Sequence, residues 1–171
     1  MIDLKEIKNK NTTKNNLYCL IVILIIFFLD RYTKLLILDN FSENTYYLND
    51  YINLDLIWNI GIGFGFLSTD SFLIYNLITL LIGLVILSLF YFLVLSEIID
   101  KLIYSVIIGG ALGNFYDRLV YNAVPDFIDI HYKNFHWFTF NVADIFITIG
   151  VIVMIIYELI DNNKNNVDQK Y

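Results

Sequence analysis

The sequence has little charge, a single cysteine and a single proline. Charged residues make up 16% of its 171 residues, and hydrophobic residues make up 58%. Soluble chains average about 25% charged residues, so an ordinary soluble domain and a disordered chain are both excluded. One cysteine excludes an internal disulfide framework and any site with several cysteine ligands. The formal net charge of −6 argues against nucleic acid as a partner, because phosphate binding needs a basic surface.

The sequence contains four long apolar stretches that an ordinary soluble domain would not have. Each is close to the roughly 20 residues that a helix needs to cross a bilayer, and they cover residues 17–38, 72–95, 102–120 and 141–160. The pattern predicts a membrane all-α protein, in which a bundle of four transmembrane helices forms one domain over residues 17–160. Residues 1–16 are predicted to be a mobile tail, and residues 161–171 a second tail.

The distribution of lysine predicts the orientation of the chain. Lysines lie in both tails and at Lys101, between the second and third stretches, whereas residues 39–71 carry five acids and neither Lys nor Arg. Because basic residues favour the cytoplasmic side, both termini are expected inside the cell. The long connections 39–71 and 121–140 are then expected outside. Alternating apolar and polar residues over 52–59 predict a strand, and hence a small extracytoplasmic β-sheet.

Polar residues within the predicted spans cluster at their outward ends. Charged groups are rare inside membranes and are functional candidates; the polar residues at these ends are Asp30, Lys34, Asn114, Asp117, Arg118 and Asp144. One layer of such groups predicts a reaction or binding site that opens outward. Two alternatives remain open from the residues alone. One is a small ion or proton transporter, although transporters more often place such groups near the midplane. The other is a structural subunit whose polar groups hold helices together.

Several of these residues also have a purely structural interpretation. Asp30 and Lys34 are spaced i, i+4 and could form an ion pair on one helix face, or act directly. Arg118 is expected to pair with Asp117 or with another acid. The spacing of Gly109 from the glycine four residues later predicts a helix-packing face.

The start of the fourth stretch and the two histidines also have structural interpretations. Asn141 is a favoured N-cap residue, and Asp144 would then be an acid in the first turn of the helix. His131 and His136 are expected at the membrane interface or the surface without a metal role, because no ligand spacing accompanies them. Cys19 is expected to be a buried packing residue.

Five short motifs resemble those of one family, the lipoprotein signal peptidases (signal peptidase II). In chain order they are D-x-x-x-K, N-x-G-x-x-F, G-N-x-x-D-R, V-x-D-F and F-N-x-A-D, at residues 30–34, 59–64, 113–118, 124–127 and 140–144. Each motif alone is a weak signal. Together, in this order and on a chain with four predicted spans, they form a strong one that covers roughly residues 17–160.

The resemblance implies an aspartic endopeptidase of the bacterial inner membrane, with its site near the extracytoplasmic face. Such enzymes remove signal peptides from prolipoproteins whose cysteine carries diacylglycerol, and they cut before that cysteine. The family's catalytic aspartates correspond to Asp126 and Asp144. Its supporting or substrate-binding residues correspond to Asp30, Lys34, Asn59, Asn114, Asp117, Arg118 and Asn141. The resemblance implies no metal and no cofactor. We expect a monomer whose partners are lipid-modified prolipoproteins and membrane lipid.

One residue departs from the family pattern. Asn122 lies four residues after Arg118, where many members have glycine. Asparagine tolerates a positive φ better than most residues, so the turn is expected to survive.

Overall fold

A computed structural model describes residues 4–41, 45–61 and 71–168 of the chain. Over these residues the chain forms four helices and four strands. In chain order they are α1 (Leu4–Asn40), β1 (Tyr46–Asn49), β2 (Ile52–Asn59), α2 (Phe72–Leu95), α3 (Ile98–Tyr121), β3 (Val124–Tyr132), β4 (Phe135–Phe140) and α4 (Val142–Asp168). The mostly helical architecture and the small sheet agree with the prediction.

Three of the described helices are long and apolar enough to cross a membrane: Phe72–Leu95, Ile98–Tyr121 and Val142–Ile160. They correspond to the second, third and fourth predicted stretches. Helix α1, which contains the first stretch, is not in this group. It begins at Leu4, so most of the predicted mobile N-terminal tail is helical instead. Extension of an existing helix through residues of high helix propensity, such as Lys, Glu and Leu, costs little free energy.

Helix α3 lies between α1 and α4, and its glycines allow the helix backbones to approach closely. A Cβ atom built on Gly109 would lie 2.8 Å from the Cβ of Ile26 in α1. A Cβ on Gly110 would lie 2.6 Å from the carbonyl oxygen of Ala143 in α4. The packing face predicted at Gly109 is therefore confirmed, because small residues here let three helices meet.

The four strands form one antiparallel sheet in the order β1-β2-β3-β4. Strand β2 confirms the strand predicted at 52–59, and β3 and β4 form a hairpin within the second predicted outer connection. The turn that leads into β3 uses Asn122, which ends α3 with φ 54° and ψ 23°, as the tolerance of asparagine for positive φ predicts. Only Asn141 separates β4 from α4, so the sheet bridges the ends of α3 and α4 and brings their polar residues together.

Candidate active site

The first turn of α4 holds Asp144 through a reciprocal pair of hydrogen bonds. The side-chain oxygen of Asn141 accepts a hydrogen bond from the backbone N–H of Asp144 at 3.1 Å. The Asp144 carboxylate accepts one from the backbone N–H of Asn141 at 3.2 Å. This arrangement is a capping box, with Asp in place of the usual Glu or Gln. The predicted N-cap and first-turn acid are confirmed, and the positive end of the helix dipole lies beside the Asp144 carboxylate.

Asp126 lies on β3, and two asparagine side chains hold its buried carboxylate. The amide nitrogen of Asn59, at the end of β2, donates to it at 2.9 Å. The amide nitrogen of Asn141 donates to its other oxygen at 2.6 Å. Asn141 therefore contacts both candidate aspartates, Asp126 through its side chain and Asp144 through both its side chain and its backbone. The structure brings the two residues together around one asparagine.

Burial and a neighbouring negative charge change the acidity of Asp126. Removal from water and the charge of Asp144 raise the pKa of the Asp126 carboxyl from 3.8 to about 7, although the hydrogen bonds from Asn59 and Asn141 oppose the shift. Two neighbouring carboxyl groups do not ionise together easily, so such a pair retains a proton near neutral pH. The site can therefore present an acid and a base side by side.

Lys34 is fully buried and lies at the centre of the polar layer. Its ammonium group donates to Asp30 at 2.8 Å, to Asn114 at 2.8 Å and to Asp117 at 2.7 Å. Three acceptors satisfy the three N–H groups of a lysine. The i, i+4 ion pair between Asp30 and Lys34 is confirmed, and it forms part of a network between α1 and α3 rather than a pair exposed to solvent.

Two further hydrogen bonds connect this network to α4. The amide nitrogen of Asn114 donates to the Asp144 carboxylate at 2.8 Å, while its oxygen accepts from Lys34. The Asp30 carboxylate accepts from the backbone N–H of Ala143 at 2.9 Å, which satisfies another open donor at the start of α4. Helices α1 and α3 thus fix the position of Asp144.

Among the described residues Arg118 pairs with no acid, contrary to the prediction. Its guanidinium group donates to the carbonyl oxygen of Gly61 at 2.6 Å, and the Asp117 carboxylate is paired with Lys34 and Arg31 instead. Consecutive helix residues point about 100° apart, so Asp117 faces α1 while Arg118 faces the end of β2.

Sequence reasoning missed the role of Arg31. Its side chain is buried, pairs with Asp117, and lies 4.7 Å from the ring centroid of Tyr116. The sequence signal that could have indicated this role is that Arg31 is a third charged residue, beside Asp30 and Lys34, within one predicted span. A buried charge needs a partner, so a second acid at this depth could have been sought for it.

The histidines lie on the sheet, away from the aspartate pair. The side chain of His136 is largely exposed, as expected, and bonds Asp129 at 2.7 Å. His131 is buried, so its predicted surface position is wrong; it shares the Asp129 face of β3 because alternate strand residues point the same way. Within the three described stretches, no group of three His, Cys, Asp or Glu side chains is arranged to hold a metal ion.

An apolar groove of about 250 Å³ opens beside Asp144. It follows α4 for more than one turn and is lined by Phe140, Asp144, Ile145, Thr148 and Ile149. The groove therefore combines one carboxylate with an apolar wall. Asn59 and Gly61 of the second motif contact Asp126 and Arg118, and residues 62–64 of that motif lie outside the described residues.

Comparison with known proteins shows to which family the chain belongs. A family profile described as signal peptidase (SPase) II matches residues 22–160. The chain belongs to the signal peptidase II family. It is 52% identical to the lipoprotein signal peptidase of Pelagibacter ubique (strain HTCC1062) over 91% of this chain and 96% of that protein. It is 34% identical to that of Francisella tularensis subsp. novicida (strain U112), over 91% of this chain and 99% of that protein.

Solved structures agree with the family. A bacterial membrane enzyme determined by the in meso method at 2.3 Å resolution matches with a TM-score of 0.72 and 28% sequence identity. The match covers 86% of this chain and 90% of that chain. Membership of the signal peptidase II family makes the chain a bacterial membrane protease, which agrees with its apolar helices. The transporter and structural-subunit alternatives are therefore set aside.

Proposed function

We propose that the chain is an aspartic endopeptidase that removes signal peptides from diacylglyceryl-modified prolipoproteins, cutting before the lipidated cysteine. The name shared by its relatives supports the substrate class. The observation that supports the aspartic mechanism is the bridging of Asp126 and Asp144 by Asn141. Asp126 and Asp144 are the proposed catalytic residues.

Two carboxyl groups that share one proton can perform both halves of amide hydrolysis. The ionised carboxylate takes a proton from a water molecule, whose oxygen attacks the scissile carbonyl carbon. The protonated carboxyl donates a hydrogen bond to the carbonyl oxygen and stabilises the charge that develops there. Transfer of a proton to the leaving nitrogen then breaks the C–N bond. The pKa of about 7 at Asp126 supports a shared proton near neutral pH.

The remaining polar residues are proposed to position this pair or the substrate. Asn59 and Asn141 orient the Asp126 carboxylate through their amide groups. Asn114 orients the Asp144 carboxylate and is itself held by Lys34. Residues whose hydrogen bonds are already satisfied keep the two carboxyl groups in place without reorganising during the reaction.

We also propose a location for the site relative to the membrane. Helix α1 acts as the fourth span, which the close approach of Ile26 to Gly109 in α3 supports. Both termini lie in the cytoplasm, and the aspartate pair lies at the extracytoplasmic face of the bacterial inner membrane. The lysine distribution supports this orientation. The groove beside Asp144 could then receive apolar parts of the substrate directly from the lipid.

Single replacements of the two aspartates test the proposal. Asn matches Asp in shape but neither ionises nor carries the shared proton, so Asp126→Asn and Asp144→Asn should each reduce cleavage by roughly 10²–10⁴-fold or more. The measurement is turnover of a diacylglyceryl prolipoprotein by the purified proteins. Because the pair acts as a unit, the double variant should be little worse than either single one.

Asp129→Asn is the matched control for these variants. Asp129 is as buried as Asp126 and lies on the same strand, but its partners are His136 and His131. This variant should retain most of the cleavage activity. Substantial turnover by either catalytic variant would remove that residue from the mechanism. Turnover by both would remove the aspartic mechanism and leave only the family assignment.

A further inference from the structure

Arg31 is a buried cation beside the candidate site, at a position that the D-x-x-x-K motif leaves open. Its guanidinium group donates to one carboxylate oxygen of Asp117, and the ammonium group of Lys34 donates to the other oxygen at 2.7 Å. The side chain of Asp117 is fully buried. Two cations from α1 therefore hold the two oxygens of one buried carboxylate on α3.

Lys34 also sets the orientation of the Asn114 side chain. It donates to the amide oxygen of Asn114 at 2.8 Å, and the amide nitrogen of Asn114 donates to the Asp144 carboxylate at 2.8 Å. An ammonium group offers only donors and an ionised carboxylate offers only acceptors, so the amide satisfies both in this orientation alone. One continuous chain of contacts therefore connects the residues Arg31, Asp117, Lys34, Asn114 and Asp144, in that order.

The charges of this network balance only when Arg31 is counted. The ion pairs that the structure describes in it join two acids, Asp30 and Asp117, to two cations, Arg31 and Lys34. Without Arg31, one ammonium group would have to serve two buried carboxylates. Coulomb attraction is strong where water is excluded, so the ammonium would be drawn towards the unpaired oxygen of Asp117. Its bond to Asn114 would lengthen first, because Asn114 is the one partner without an opposite charge.

Two tyrosines of α3 hold the Arg31 guanidinium group in place. It lies 4.7 Å from the ring centroid of Tyr116 and 5.7 Å from that of Tyr121, and its second terminal nitrogen donates to the Tyr121 hydroxyl at 3.5 Å. Arginine stays protonated when it is buried, and its planar group binds aromatic faces. The rings therefore confine a permanent positive charge beside Asp117.

We propose that Arg31 is a positioning residue for peptide cleavage: by neutralising Asp117 it leaves Lys34 available to Asn114, which holds the Asp144 carboxylate in its reactive orientation. This inference rests on the proposed catalytic role of Asp144. Arg31 acts through other residues and does not touch the substrate. Its loss should therefore lower kcat and leave KM nearly unchanged.

Three variants of the full-length chain separate charge from packing at this position. Arg31→Gln removes the charge and keeps much of the length of the side chain, whereas Arg31→Lys keeps the charge. Tyr116→Leu removes one aromatic contact of Arg31 and leaves its pair with Asp117. Size exclusion in detergent measures the amount of folded protein, so that turnover is expressed per folded molecule.

Turnover of a diacylglyceryl prolipoprotein is the first measurement. Arg31→Gln should lower kcat roughly tenfold or more, with KM within about twofold of wild type, because a misplaced catalytic group slows the reaction without weakening binding. Arg31→Lys should recover most of this loss. Tyr116→Leu should lower the unfolding temperature more than it lowers kcat. If folded Arg31→Gln turned over at the wild-type rate, Arg31 would have a structural role only and the proposal would be overturned.

A double-mutant cycle tests the route from Arg31 to Asp144. In an Asn114→Ala background the route is already broken, so Arg31→Gln should lower kcat by less than about twofold. An Asp117→Asn background, which has no charge left to balance, should give the same result and serves if Asn114→Ala does not fold. Losses as large as in wild type would contradict the role of Arg31 alone. Retained cleavage by Asp144→Asn would instead contradict the catalytic assignment, so the two proposals fail separately.

Discussion

At the scale of single residues, Lys34 supports more of the site than any other described side chain. It joins Asp30 and Asp117, and its removal would leave the buried Asp30 carboxylate without a cation and Asp117 with Arg31 alone. Removing one partner of a buried ion pair costs about 3–5 kcal/mol. We therefore expect Lys34→Met to lower the amount of folded protein in the membrane as well as its activity, measured by fluorescence-detected size exclusion and by turnover.

Lys14→Met is the control for this variant. Lys14 is an exposed lysine on the same helix, so its loss should leave both measurements close to wild type. Normal accumulation of Lys34→Met with reduced turnover would mean that Lys34 acts in the reaction rather than in the fold.

Asp126 makes the stability of the protein depend on pH. Its folded pKa of about 7 lies above its ordinary value of 3.8, so the folded state binds the proton more tightly than the unfolded state. Its favourable contribution is complete below the ordinary pKa. It is lost as the pH rises towards 7, at up to about 1.4 kcal/mol per pH unit. Asp126→Asn has no such dependence.

The unfolding temperatures of the two proteins in detergent check this. Wild type should lose stability relative to Asp126→Asn between about pH 4 and pH 7, because the charged carboxylate is disfavoured in the folded state. A difference that stays constant over this interval would show that Asp126 titrates at its ordinary pKa in the folded protein.

Individual residues also show where sequence reasoning stops. The polar residues of one layer could be predicted, because charges within an apolar run are conspicuous. The partner of each could not, because pairing depends on how α1 is rotated against α3. Arg31 faces Asp117 and Arg118 faces Gly61, and neither pairing follows from spacing along a single helix.

At the scale of elements, the contact between α1 and α3 depends on Gly113. A Cβ atom at this position would overlap the carboxylate of Asp30. We expect Gly113→Ala to destabilise the protein by about 1–3 kcal/mol, the usual cost of overpacking, since the carboxylate is also held by Lys34 and Ala143. Thermal unfolding in detergent measures the change.

Gly83→Ala is the matched control in the interior of α2. Its Cβ would approach only the ring edge of Phe115, at 3.2 Å, and alanine favours a helix interior over glycine. Its stability should stay within about 1 kcal/mol of wild type. Similar effects of the two substitutions would show that the loss arises from helix propensity and not from the Asp30 contact.

Elements differ in how well the sequence predicts them. Helix α2 has the bounds predicted for it, because a long uncharged apolar run can hardly form anything else. Strand β2 followed from its alternation. Strand β4 did not, because its apolar residues come without alternating polar ones and all lie at least partly exposed. Its formation depends on pairing with β3, which is a contact between segments and not a local pattern.

At the scale of the whole molecule, the orientation in the membrane is open to a direct test. The lysines of the tails predict that a reporter fused after Tyr171 is cytoplasmic. A reporter inserted after Asp50, in the turn between β1 and β2, should lie outside the cytoplasm and serves as the opposite control. Activity of an alkaline phosphatase fused after Tyr171 would place this end of the chain outside the cytoplasm and contradict the proposed topology.

The long-range pairing of Lys34 has a consequence for the order in which the protein is assembled. Asp30 pairs with Lys34 within α1, but Asp117, which also pairs with Arg31, follows Lys34 by 83 residues, so a ribosome makes α1 with one positive charge uncompensated until α3 follows. An unpaired charge costs up to about 2.5–3.5 kcal/mol on insertion scales, which is the value for the centre of a span. The outward end of α1 should therefore stay outside the lipid until α3 emerges. The arrival of α3 is then the step at which the nascent chain becomes resistant to membrane quality-control proteases.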